Sequence, residues 1–473
     1  MSTINDSVHE LREDIPLKSG SRSTSWCFCS EDCLGGSRFI NFAFGTLTVV
    51  ITFALLIQIY YGDYQVIPHG SVATDNFNCS KIGTYILKEK GNAVDAAIAS
   101  AVCLAVTNPH LTGLDAEGQI LIYNHRTRIA PTFIDFSGIN VVSEHLPRLV
   151  LGLAYLHQIY GSLEWKKLIT PSVELAKNGF LVQKSLAQAI KTAKAEDIFG
   201  FLETGNALVL EKLGNTLKTI ANIPENELYS YITLTNKPNL AQSIKTVFNN
   251  YDIYVPGSSS IGPSLIKNLE KIENLEHSGV SSAEYIYRVA DITENSYNDL
   301  NITTNFHLGT SSNVAVMDLD ENYVSLITGM YAMFGSGELT SAGYFLDDHN
   351  KGIPIRSRVP IILTDGEVIC GKRMVFGAND LAVATQLITL AVQNQNATEI
   401  IEQARFHILP NGKLGIEGFT AAAFSDEVLM YLNTLSQPVT LFEPYSSSNI
   451  VEKIKDDLTS HSDSRGGGIA SRF

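Results

Sequence analysis

The chain has no Walker A loop, no His-Glu-x-x-His, no Gly-x-Ser-x-Gly elbow, no dinucleotide fingerprint after a strand, and no metal-ligand spacing among its six cysteines. Those absences remove the usual sequence-level routes to a metal or a cofactor, and neither is expected. The eleven histidines are scattered, so spacing nominates no His-based triad. Charge is also scarce, at 18%, and 34 Lys and Arg against 49 Asp and Glu leave a net −15. With no basic block and no basic, aromatic-interleaved stripe, nucleic acid is excluded as a partner. What the chain does have is 473 residues, 45% of them apolar. That is enough core for one large domain or two ordinary ones, and it excludes global disorder.

Long apolar runs are nearly absent, with one exception. From Phe39 to Gly62 no charged residue occurs, a stretch longer than the roughly 20 residues an α-helix needs to cross a bilayer. Lys18, Arg22 and Arg38 precede it, whereas Asp63 follows and no base returns before Lys81. The positive-inside bias therefore predicts a type II signal anchor, with a cytosolic tail (residues 1–38), a span (39–62) and the bulk of the chain outside. A cleaved signal peptide would have a shorter apolar core and a small-residue cleavage site, which Ile59-Tyr-Tyr-Gly-Asp-Tyr64 does not supply. A plasma-membrane or secretory-pathway location follows. The sequons at Asn78, Asn301 and Asn396 fit it as glycosylation sites. Cys27, Cys29 and Cys33 fall inside, and Cys79, Cys103 and Cys370 outside, where an oxidising compartment admits a disulfide between Cys79 and Cys103.

Beyond the span a stalk is expected over residues 63–78, then a folded ectodomain over 79–473. Residues 80–107 read as a long helix punctuated at Gly91-Asn92, its second half small and apolar, stopped by Asn108-Pro109. A hairpin is predicted over 119–124 and 131–136, and helices over 146–194, 263–275 and 282–290. Strands return at 312–319, 323–328, 358–363 and 373–376, followed by a helix at 381–393. Strands flanked by helices at both ends of the chain, without a βαβ rhythm, predict a layered α/β sandwich.

Read alone, Gly309-Thr310-Ser311-Ser312 is a polar entry to an apolar strand. The run Cys79-Ser-Lys-Ile-Gly83, Lys90-Gly-Asn-Ala-Val-Asp-Ala-Ala97, Cys103 and Asn108-Pro-His110 gives it a context, because it resembles the N-terminal segment of γ-glutamyltransferases (glutathione hydrolases). The likeness continues in order through Tyr160-Gly-Ser-Leu-Glu-Trp165, Pro171-Ser-Val-Glu-Leu-Ala176, Phe334-Gly-Ser336, Asp365-Gly366, Arg405-Phe-His407 and Ser462-Asp-Ser-Arg-Gly-Gly467. It implies a four-layer αββα N-terminal-nucleophile hydrolase, split into a large-subunit-like part (79–310) and a small-subunit-like part (311–473). Ungapped alignment back from Phe334-Gly335-Ser336 puts Ser311 at the nucleophile position, with Thr310 as its neighbour and alternative. The freed α-amine of such a residue serves as its base.

The resemblance also implies a substrate shell, much of it substituted. The family's carboxylate-binding Arg is Ser137 here, which cannot replace a bidentate guanidinium unless Arg126, Arg128, Arg356 or Arg358 swings in. Its Thr-Ile-Asn becomes Gly329-Met330-Tyr331, and its acidic segment becomes Asp347-Asp348-His349-Asn350, where Asp347 or Asp348 is expected to pair with a substrate ammonium. Its Ser-Ser reads Arg356-Ser357. Asn379-Asp380 stand where backbone N–H groups serve the oxyanion, and a carboxylate there is expected to oppose the field that acyl transfer needs. The pattern resembles a short, divergent type II branch of the family. It implies hydrolysis or transfer of the γ-glutamyl group of glutathione and its conjugates. The alternative is a catalytically silent, membrane-anchored interaction protein.

Overall fold

The computed structural model describes residues 36–61, 68–139, 146–234, 237–257, 260–276, 281–299, 309–348, 357–393, 395–409, 411–419 and 421–473. The chain divides into two units, residues 1–66 and 67–473. In the first, Gly36–Tyr61 is one helix, and its segment Phe39–Tyr60 is long and apolar enough to cross a membrane. The hydroxyls of Thr46, Thr48 and Thr52 bond back to carbonyls one turn earlier. These three hydroxyls thus satisfy their donors within the helix.

In the second unit, residue pairs three and four apart shape the first helices. Asn92 accepts from the amides of Val94 and Asp95, while Asp95 reaches back to the Asn92 amide. This reciprocal cap starts the helix Ala93–Thr107. Just before it Lys90 takes a left-handed turn with φ 68. The expected long helix is therefore two, Phe77–Lys88 and Ala93–Thr107. Cys79 and Cys103 join them as a disulfide across 24 residues. Gly83 lets them pack closely, since a Cβ there would lie 2.4 Å from Ser100 Oγ.

Two antiparallel sheets form the centre. The first runs Ser471–Arg472, Ser71–Thr74, Ser312–Met317, Asn322–Gly329, Glu117–Asn124, Thr132–Asp135, Asn239–Gln242, and the second runs Asp457–His461, Ile450–Ile454, Lys372–Ala378, Val359–Asp365, Tyr251–Val255, Ile244–Phe248. Alternation along a strand sends successive side chains to opposite faces. In Ser312–Met317, Ala315 and Met317 join the layer between the sheets with Tyr123, Phe133, Ile362, Val375 and Val451. Val314 and Val316 instead pack into the helical layer with Ala93–Thr107, Leu149 and Trp165. Helices Gly262–Glu276, Ser282–Asp299 and Leu381–Val392 cover the far face of the second sheet. Both faces of each sheet are thus covered, so the central strands read as continuous apolar runs rather than alternating ones. The order helix, sheet, sheet, helix is the four-layer αββα sandwich that was expected.

The stalk expected over residues 63–78 is corrected. Ser71–Thr74 is a fully buried strand between Ser312–Met317 and Ser471–Arg472. Four small residues are too short a signal to read as a strand, and both partners lie hundreds of residues away. The segments before and after residue 311 also interleave, because each sheet takes strands from both.

Candidate active site

The strand Ser312–Met317 begins at the edge of a cavity of about 310 Å³ lined by Thr310, Ser311, Asn379, Asp380 and His407, with Leu111, Met333, Leu409 and residues 441, 442 and 444–446. The Thr310 amide donates to Met330 O at 3.1 Å, and its hydroxyl donates to Leu111 O at 2.8 Å. Ser311 is only 3% exposed, and among the described residues its hydroxyl makes no hydrogen bond. The neighbouring strand approaches so closely that a Cβ on Gly329 would fall 1.9 Å from Thr310 O and 2.8 Å from Ser311 Cα. Glycine is therefore required at position 329 by space.

Asp75, in the turn after the first strand, fixes the start of this strand. Its carboxylate accepts from Ser312 Oγ, from the Asn313 amide at 3.1 Å, from Ser447 Oγ at 2.7 Å and from Asn449 Nδ2 at 2.5 Å. Burial raises its pKa above the usual carboxylate range, against the lowering effect of these donors. One buried acid thus ties the Ser311 side of the cavity to the segment carrying Ser446.

The opposite wall is built by a helix cap. Asp380 accepts from the Val383 amide at 2.7 Å and starts the helix Leu381–Val392. Its other oxygen lies 2.9 Å from His407 Nδ1, whose Nε2 lies 2.9 Å from Glu417. Glu417 continues to Arg465, Arg465 to Asp463, and Asp463 to Arg405 at 2.8 Å. Burial alone would lower the His407 pKa, but the two carboxylates outweigh it and lift it to about 9. His407 is therefore a buried imidazolium and no general base. The same geometry sets the surroundings of the Asp380 carboxylate, which was expected to oppose an oxyanion. Asp380 is 1% exposed, and its charge is balanced by His407 and by the helix N-terminus.

Of the sequence-nominated residues, Thr310, Ser311, Asn379 and Asp380 come together, and Asn379 Nδ2 donates to Gly309 O at 3.0 Å. Asp347, Asp348 and Ser357 do not line the cavity. Asp347 accepts from the amides of Tyr331 at 2.7 Å and Asp348 at 3.0 Å, and its own amide donates to Asp115 at 3.0 Å. Ser357 is buried. Arg356 and Asn301 lie outside the described residues. Arg126 pairs with the exposed Asp320, in the turn between the strands Ser312–Met317 and Asn322–Gly329, at the end away from Ser311; Arg128 is exposed beyond that hairpin. Arg358 donates to Met330 O at 2.7 Å and lies 3.7 Å from Glu117; burial lowers its pKa to about 10 despite Asp347 and Asp135. Asn78 is half-buried in the first turn of its helix, while Asn396 is exposed as a helix cap. Sequence reading missed His407 as a lining residue and the wall formed by Leu409 and residues 441, 442 and 444–446. The Arg405-Phe-His407 motif was visible, but its partner Asp380 is 27 residues away.

Comparison with known proteins gives this geometry a setting. The sequence profile of Gamma-glutamyltranspeptidase matches residues 79–145 and 142–237. Glutathione hydrolase 7 of Bos taurus is 25% identical over 85% of this chain and 78% of its own length. Glutathione hydrolase 6 of Mus musculus is 26% identical over 74% and 72% respectively. Among solved structures, the cephalosporin acylase from Bacillus halodurans superposes with a TM-score of 0.67 at 16% identity, over 86% of this chain and 96% of that one. At that identity the likeness concerns the fold.

Proposed function

Because the chain belongs to the γ-glutamyltranspeptidase family, we propose that it is a membrane-anchored N-terminal-nucleophile amidase that cuts itself before Ser311. It then transfers the γ-glutamyl group of small molecules such as glutathione to water or to an acceptor amine. The observation that carries this reading is the placement of Ser311, whose hydroxyl is unengaged in the cavity while that of Thr310 is held by Leu111 O. Of the two nominated nucleophiles, this favours Ser311. In the self-cleavage, Ser311 Oγ attacks the Thr310 carbonyl carbon, the C–N bond breaks as the hydroxyl proton passes to the nitrogen, and a free α-amine and a Thr310 ester result. Water then opens the resulting ester and restores the hydroxyl. In turnover that amine takes the hydroxyl proton as Oγ attacks the γ-carbonyl, and passes it to the leaving amine. The γ-glutamyl ester that remains is opened by water or by an acceptor amine.

The anchor is the helix Gly36–Tyr61. The bases at 18, 22 and 38 favour a cytosolic N-terminus and a lumenal or extracellular active site. The test is intact mass and N-terminal sequencing of the full-length protein in detergent. A new terminus at Ser311 is expected, lost in Ser311→Ala and kept in Thr310→Ala. A wild-type chain that stays uncut yet melts cooperatively would overturn the reading in favour of a silent fold.

A further inference from the structure

The Ser311 cavity is walled on one side by Leu409, Leu441, Phe442, Pro444 and Tyr445. Phe442 is 81% exposed although it lines the cavity. An aromatic ring left in water at a cavity mouth is unfavourable in the free protein and is a common anchor for a ligand. The wall is also braced. The Tyr445 hydroxyl donates to Leu441 O at 3.2 Å, its ring meets Phe419 edge-on at 6.1 Å, and the Arg465 guanidinium lies 4.3 Å from the Phe419 ring centre. Arg465 is itself held by Glu417 and Asp463, so the aromatic wall is fixed to the buried charge network behind His407.

Charge in the cavity points the same way. Among the described lining residues the only ionic groups are Asp380 and His407, and they are bound to each other. Among the described lining residues a carboxylate placed against this wall would find no unpaired cation, and a desolvated carboxylate without one is costly. Resting on the γ-glutamyl reading, in which the acyl part of the substrate is itself charged, we infer that this wall is the leaving-group subsite and that it selects amides whose amine part is uncharged and aromatic or branched aliphatic. Phe442 and Tyr445 are its specificity-determining residues. Phe442 contributes by covering the apolar group, which removes its own ring and the ligand's from water.

The probe is γ-glutamyl benzylamide against γ-glutamylglycine, bound to full-length Ser311→Ala protein in detergent and followed by calorimetry. Benzylamide is expected to bind roughly tenfold or more tightly than the glycine amide, as for one well-filled apolar pocket. Phe442→Ser in the same background should reduce that preference about fivefold while leaving the glycine amide unchanged; the side chain is exposed, so folding is not at stake. Equal affinities, no binding of either, or a Phe442→Ser preference like the parent would each overturn the inference. The underlying reading fails separately. Selective binding with a wild-type chain that never self-cleaves would sink the enzyme and keep the subsite, whereas self-cleavage with equal kcat/KM for both amides would do the reverse.

Discussion

Replacing His407 by Gln tests the charge network behind the cavity. His407 holds its proton up to about pH 9 between Asp380 and Glu417, whereas the unfolded chain releases it near the ordinary value of 6.5. At about 1.4 kcal/mol for each tenfold in proton affinity, the bound proton contributes about 3 kcal/mol to stability. Because the folded value is the raised one, this contribution is complete below about pH 6.5. It falls by about 1.4 kcal/mol per pH unit as pH rises towards 9, and is then gone. The groups facing the ring are Asp380 and Glu417, with Arg465, Asp463 and Arg405 behind Glu417 and Tyr297 acting on Asp380.

His407→Gln leaves Asp380 without its cation and Glu417 with Arg465 alone, and an uncompensated buried charge typically costs about 3–5 kcal/mol. The assay is urea unfolding of full-length protein in detergent, followed by emission of the buried Trp165, at pH 6, 7.5 and 9.5. The expected result is a large deficit in the variant at pH 6 that shrinks steadily towards pH 9.5, because only the wild type loses a proton over that range. A deficit that stays constant across the three pH values would refute the reasoning. It would mean that His407 acts through packing, and that its proton is not held.

Two further outcomes follow from the geometry. Gly329→Ala places a Cβ on the Thr310 carbonyl and against Ser311 Cα, so it should slow self-cleavage by at least roughly tenfold, the effect of about 1.4 kcal/mol on a barrier, while the chain still folds; mass spectrometry of the ratio of cut to uncut chain reads it, and unchanged processing would show that the strand gives way. Changing Cys79 and Cys103 together to Ser opens a bridge spanning 24 residues and should lower stability by about 3 kcal/mol in the chain-entropy model, with no loss in the wild type on mild reductant because both cysteines are fully buried; an unchanged melting temperature in the double variant would argue against the bridge.

The parts of the fold that were legible in the sequence are those specified within a few residues. The punctuation at Gly91-Asn92, the strand Ser312–Met317 and the apolar helix after Asp380 all announce themselves through local spacing. Motif order brought Thr310, Ser311, Asn379 and Asp380 into one nomination, and the four line one cavity. What was not legible depends on partners distant in the chain. Ser71–Thr74 is a strand only because Ser312–Met317 and Ser471–Arg472 pair with it, and Asp75 is a site residue only because Asn449, 374 residues away, donates to it. The setting of Asp380 was not legible for the same reason, since its imidazolium partner His407 is 27 residues away.

On the proposed reading, that partner also explains why such an acid is tolerated next to Ser311. With His407 protonated, the buried chain Asp380, His407, Glu417, Arg465, Asp463, Arg405 holds three negative and three positive groups in alternation. Their charges cancel locally, so the Asp380 field at Ser311 is that of a dipole, which falls off faster with distance than that of a single ion. Among the described lining residues the same neutrality leaves no unpaired cation on this wall. Leu409, Leu441, Phe442 and Tyr445 line the remaining surface. The substitutions near Asn379 and Asp380 thus act as a set: they remove charge recognition on this side of Ser311 and leave shape and apolar burial to decide what binds there.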